Sequence, residues 1–138
     1  MKKIAPFLTA LLLTSGVAAF SASPAVDLTS MKGVMLCAAV HDIKKHPENY
    51  VGRRITMTGQ FAIVQGFDEW GMEDPDKIFC ACTFSQALDS LEFCAGSELQ
   101  HPEDFIDLGT TVTVSGVYEA YEDNGKVYYR VGNAAVKF

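Results

Sequence analysis

The chain has 138 residues, 49% of them hydrophobic, with 11 basic residues, 17 acidic residues and four cysteines. That is one domain's worth of chain, long enough to bury a core without covalent staples. A net charge of −6 argues against partners built on phosphate, which are gripped through clustered Lys and Arg.

The N-terminus reads as an export signal. Lys2 and Lys3 precede the apolar run "IAPFLTALLL", too short for a membrane anchor, and the small residues of "AAFSASPA" follow. Ser23-Pro24-Ala25 fits the small-x-small rule, so residues 1–25 are expected to be removed, leaving 26–138 as a single domain in the periplasm or medium. Without Lys2 and Lys3, nine basic residues face 17 acids, a net charge of −8. No later stretch is apolar enough to span a bilayer, so no membrane insertion of the mature chain is expected.

Val34, Leu36, Cys37, Val40, His41 and Ile43 recur at helical spacing and predict a helix over Val34–Lys45. Next comes the first of two echoing stretches, "HPENYVGRRITMTGQF" (His46–Phe61); the second is "HPEDFIDLGTTVTVSGVY" (His101–Tyr118). Two copies are too few for a solenoid. Each reads as a turn or short helix that ends at Gly52 or Gly109 and feeds an alternating strand. Ile55, Met57, Phe61 and Ile63 share one face of the first strand, and Val112, Val114 and Tyr118 share one face of the second. Gly59 and Gly116 fall on those apolar faces, where a glycine marks a sharp bend or bulge.

Between the copies, "KIFCACTF" predicts a second strand and "SLEFC" a third, joined by the polar turn "SQALD". "PEDFIDLG" predicts a short helix begun by Pro102 and ended by Gly109. The end of the chain, "YEAYEDNGKVYYRV", predicts a hairpin turning at Asn124-Gly125, with "AAVKF" continuing the last strand. The order β-β-β-α-β-β behind an N-terminal helix is that of the OB-fold, a mainly β, five-stranded Greek-key barrel.

"PENYVGRRITMTGQF", "LEF" and "GTTVTVSGVYE", taken together, resemble a largely uncharacterised family of bacterial exported OB-fold proteins over about residues 40 to 135. The resemblance implies the barrel and export, and names no ligand. Where relatives tend to carry a further cysteine pair, before "LEF", this chain reads "QALDS".

In an oxidising compartment, Cys37, Cys80, Cys82 and Cys94 are disulfide candidates with three possible pairings. Cys80 and Cys82 project from one strand face, and a register setting either opposite Cys94 would allow a bond. Cys94 has the parity of outward Glu92, so such a bond calls for a bulge or a strand end near it. The alternative is a zinc or copper site drawn from Cys37, His41, Cys80, Cys82 and Cys94, since thiolate and imidazole suit both metals. C-x-C is not the usual C-x-x-C knuckle, however. The acidic loop "GFDEWGMEDPDK" (Gly66–Lys77) lacks EF-hand spacing and carries the only tryptophan, Trp70. Tyr128 and Arg130 alternate outward on the last strand, and with Trp70 they form a candidate stacking platform for a sugar, peptide or protein. No G-x-S-x-G, H-E-x-x-H or phosphate loop occurs. The expectation is a non-enzymatic binding module without a cofactor, its ligand unidentified.

Overall fold

The computed structural model describes residues 24–96 and 107–138. The export signal over residues 1–25 therefore falls almost entirely outside the described residues, as does most of the expected helix in "PEDFIDLG". The described chain is mainly β: β1 (Val26–Asp27), β2 (Arg54–Phe67), β3 (Glu73–Phe84), β4 (Asp89–Ala95), β5 (Thr111–Asp123) and β6 (Lys126–Lys137), with one α-helix, α1 (Val34–Lys45), and a 3-10 turn over Pro47–Asn49.

Helix α1 occupies the span its periodicity predicts. Val40 and Ile43 are buried at the core, each worth roughly 1.5–3 kcal/mol of burial. Lys44 and Lys45 sit in the last turn, where positive charge complements the exposed carbonyls. Lys44 Nζ also reaches Asp89 Oδ1 at 2.5 Å, tying the helix to β4.

The strands form one mixed sheet in the order β1-β2-β3-β4-β6-β5, and β2 pairs with β5 as well, so five strands join into a ring. That closing pair consists of the two echoing stretches. They run antiparallel about a centre at Met57↔Val114, with Ile55 opposite Gly116 and Gly59 opposite Val112. Their ends lock reciprocally: the Gly52 N–H donates to Tyr118 O and the Gly109 N–H to Phe61 O, at 2.9 and 2.8 Å. Both glycines have positive φ, +87° and +86°, a conformation that suits a residue without Cβ. Thr56–Ser115 and Thr58–Thr113 add hydroxyl pairs at 3.0 and 2.8 Å on the other side. The echo is thus a local two-fold pairing, with each copy completing the other's sheet edge.

Gly59 and Gly116 sit where strands crowd. A Cβ on Gly59 would lie 2.5 Å from Thr83 O and 2.7 Å from Cys82 Sγ; one on Gly116 would meet Gly132 O and Val131 Cγ1. Near Gly116 the β5–β6 register also shifts. These are backbone close approaches at bends.

Ile55, Met57, Phe61, Val112, Val114 and Tyr118 are buried as their parity predicts. Ile63 is not: it is 39% exposed, because β2 runs on past the core as one arm of a long hairpin with β3. That arm also corrects the expected strand at "KIFCACTF". Strand β3 begins at Glu73 and pairs Glu73 with Phe67 across a register shift at Gln65/Gly66. Two-residue β1 was not expected; it lies parallel to the start of β2. At the far end, Asn124 and Gly125 both have positive φ, as a tight hairpin turn requires.

Candidate functional site

Two hairpin arms project beyond the core, β2–β3 and β5–β6, and their tips adjoin. Asn124 Nδ2 donates to Phe67 O at 3.3 Å. Lys77 Nζ pairs with Asp123 Oδ1 at 2.8 Å. The acidic loop of the first tip is a built turn. Asp68 Oδ1 accepts the backbone N–H groups of Trp70 and Met72, both at 2.9 Å, while the Asp68 N–H donates to Met72 O. Farther along, Asp74 Oδ1 accepts the Asp76 N–H at 3.0 Å. These carboxylates cap their own turns. The turn holds Trp70 outward at 82% exposure, flanked by exposed Phe67 and Met72.

Between the arms lies an aromatic and charged cluster set by register. Counting outward from Asn124-Gly125, β5–β6 pairing puts Tyr121 opposite Tyr128 and Glu119 opposite Arg130. The two tyrosine rings stack with centroids 5.7 Å apart, and Phe79 of β3 packs against Tyr121 at 6.3 Å. The Arg130 guanidinium lies 4.3 Å from the Tyr121 centroid, a cation–π distance, while its Nε donates to Glu119 Oε1 at 2.9 Å. Tyr121 Oη donates to Glu92 Oε1 on β4 at 2.6 Å. Burial pushes the Glu92 carboxyl above the ordinary carboxylate range, and the Tyr121 bond and Arg130 charge offset part of that rise. Burial, followed by the bond to Glu92, raises the Tyr121 phenol in turn.

Tyr128 and Arg130 therefore belong to one cluster, joined through Tyr121. Trp70 stands at the tip of the neighbouring arm, in ring contact with none of the described aromatics. Tyr121, Glu92, Glu119 and Phe79 escaped the sequence reading. The turn at Asn124-Gly125 would have found Tyr121, because it dictates which β5 residue faces Tyr128.

The thiols occupy three settings. Cys82 is fully buried in the core, and burial pushes its thiol up to about 12. Cys80 lies opposite Phe93, and Cys82 opposite Leu91, so neither of the two registers expected with Cys94 occurs. The β3–β4 ladder runs without a shift as far as Cys80↔Phe93, and the irregularity beside Cys94 lies in the β4–β6 pairing, where Phe93↔Val131 and Ala95↔Ala134 leave the extra residue on β6. Cys94 follows the residue opposite Cys80. Burial first, then the charges of Cys94 and Glu92, lifts the Cys80 thiol to about 11. Cys37 donates from Sγ to Gln86 O at 3.2 Å, and His41 is exposed on α1. Among the described residues all four cysteines are free thiols, and no group of three or more His, Cys, Asp or Glu side chains is placed to hold a metal. No described helix is long and apolar enough to cross a membrane.

Comparison with known proteins finds no matching family model, no matching curated protein and no matching solved structure.

Proposed function

We propose that this chain is an exported, non-catalytic binding module of the OB-fold type, and that its ligand face lies between the two hairpin tips. The observation that carries the reading is the adjacency of the Trp70 turn and the Asn124-Gly125 turn, beside the Phe79–Tyr121–Tyr128–Arg130 cluster. OB-folds use the loops after their first and fourth strands, with the strand 2–3 face, to hold extended ligands. The ring order β2-β3-β4-β6-β5, with β4 and β6 parallel, supports the same reading. Stacked tyrosines and an arginine over a ring favour flat or ring-shaped groups. The acidic charge favours a saccharide, peptide or protein over nucleic acid.

Trp70 is the sole tryptophan, so its fluorescence tests the face directly. Titration with neutral oligosaccharides and with uncharged peptides should give a saturable emission shift that Tyr128→Ala weakens. Single-stranded DNA should give none at physiological salt. A response to DNA alone, or one indifferent to Tyr128→Ala, would defeat the reading. The mass of protein recovered from the periplasm or medium checks export, with the chain expected to begin near Val26.

A further inference from the structure

A second candidate site lies away from the hairpin tips, where the edge of β2 is left unpaired. On that edge β1 pairs with Ile55 and Thr56 and stops there, and the Leu28 N–H closes on Thr56 O at 2.8 Å. Strand β3 joins the same edge only from Gln60, opposite Thr83. No described strand covers the edge in between. Because main-chain groups alternate sides along a strand, the N–H and C=O of Thr58 point the same way as those of Thr56, into this notch. The equivalent stretch of β5 is not open, since β6 follows β5 from Thr113 to Asp123 across its register shift.

The notch opens into a cleft of about 370 Å³, within the range of small-ligand sites, roughly 300–1,000 Å³. Met31 and Leu36, both partly exposed, contribute apolar surface over buried Leu28 and Phe84, and Thr83 and Ser85 add hydroxyls. None of the lining residues is acidic, although the chain has 17 acids, and Lys32 is the only charged one. Lys32 makes no ion pair with a described residue.

We propose that this cleft docks the carboxy-terminal end of a short peptide: Thr58 offers the main-chain pair that an added strand residue requires, Lys32 receives the terminal carboxylate, and an apolar side chain packs on Met31 and Leu36. Strand addition and terminal-carboxylate capture are both established modes of peptide recognition. A dissolved anion would need only Lys32; a peptide end uses the unpaired edge as well. Room for a chain end, and not for a folded partner, follows from the volume.

The test uses the full chain, ¹⁵N-labelled, titrated with acetyl-Ala-Val-Leu as the free acid, with the same peptide as its C-terminal amide, and with acetate. The free acid should shift the Thr58 and Lys32 amides saturably and slow hydrogen exchange at Thr58. The amide form should bind roughly five- to tenfold more weakly, as loss of a charge-assisted bond implies. Lys32→Gln, in the exposed segment before α1, should abolish that difference without altering the fold. The proposal is overturned if acid and amide bind alike, if acetate reproduces the Thr58 shift, or if no peptide perturbs Thr58 at millimolar concentration.

Discussion

Replacing Gly59 with alanine tests how closely β2 and β3 are pressed together at the bend. The new methyl would lie 2.5 Å from Thr83 O, 2.7 Å from Cys82 Sγ and 3.2 Å from Thr83 C. Two of these atoms are backbone in a paired strand, and the sulfur is fully buried; none can yield without moving its neighbours. Overpacking of this kind costs typically about 1–3 kcal/mol. The stiffer unfolded chain returns about 0.4–1 kcal/mol. The net expectation is a loss of roughly 1.3 kcal/mol, or about 5 °C in Tm for a domain of this size. Thermal and urea unfolding, followed by circular dichroism, would measure it. Gly96→Ala is the control, since among the described residues its Cβ would meet nothing nearer than 3.4 Å; it should stay within about 0.5 kcal/mol of the parent. Because one of the clashes is with Cys82, Gly59→Ala should cost less in a Cys82→Ala background, with a coupling of about 1 kcal/mol. A Gly59→Ala protein melting within about 2 °C of the parent, or showing no coupling to Cys82, would refute the close approach.

Two further outcomes follow from the titrating groups. Glu92 has its carboxyl raised in the folded protein by burial, so the fold favours its protonated form. Its contribution to stability is complete below its unfolded value, near 4.5, and is lost as pH rises through the folded value. Glu92→Gln, which keeps an acceptor for Tyr121, should therefore be more stable relative to the parent at pH 7 than at pH 4; urea midpoints independent of pH would contradict this. In reduced native protein at pH 8, Cys82 should react with a thiol reagent only as the protein unfolds. A thiol raised to about 12 is ionised in about one molecule in ten thousand at that pH. Peptide mapping that finds Cys82 labelled as fast as Cys37 would show the core open there.

Elements whose signal is local were legible in the sequence. Helix α1 declared itself through apolar spacing from Val34 to Ile43, and the Asn124-Gly125 turn through its chemistry. The parity of Ile55, Met57, Val112 and Val114 survived because both strands meet the core directly. What stayed hidden depends on partners far along the chain. Strand β3 contains Glu73, Asp74, Pro75 and Asp76, a composition that argues for loop, yet it is extended because β2 lies beside it. Two-residue β1 is too short to carry a period. Ile63 has core parity but lies beyond the core's end, and parity reports a face, not a depth. The Cys80↔Phe93 register depends on how β4 meets β3, which neither "KIFCACTF" nor "SLEFC" encodes alone.

The echo between His46–Phe61 and His101–Tyr118 is the clearest case of a pattern seen in sequence and explained only by pairing. The copies share glycines because each strand bends where another crowds it, β3 against Gly59 and β6 against Gly116. Their surroundings nonetheless differ. Strand β6 is paired along nearly all of β5, whereas the matching edge of β2 is divided between β1 and β3, and neither reaches Thr58. Two similar strands thus end with unequal edges, one covered and one interrupted. An interrupted edge keeps an unsatisfied backbone pair only where water or a ligand can reach it, and the cleft beside Lys32 provides that access. The asymmetry arises in the neighbours of the echo, since the two copies match closely in sequence at the strands themselves.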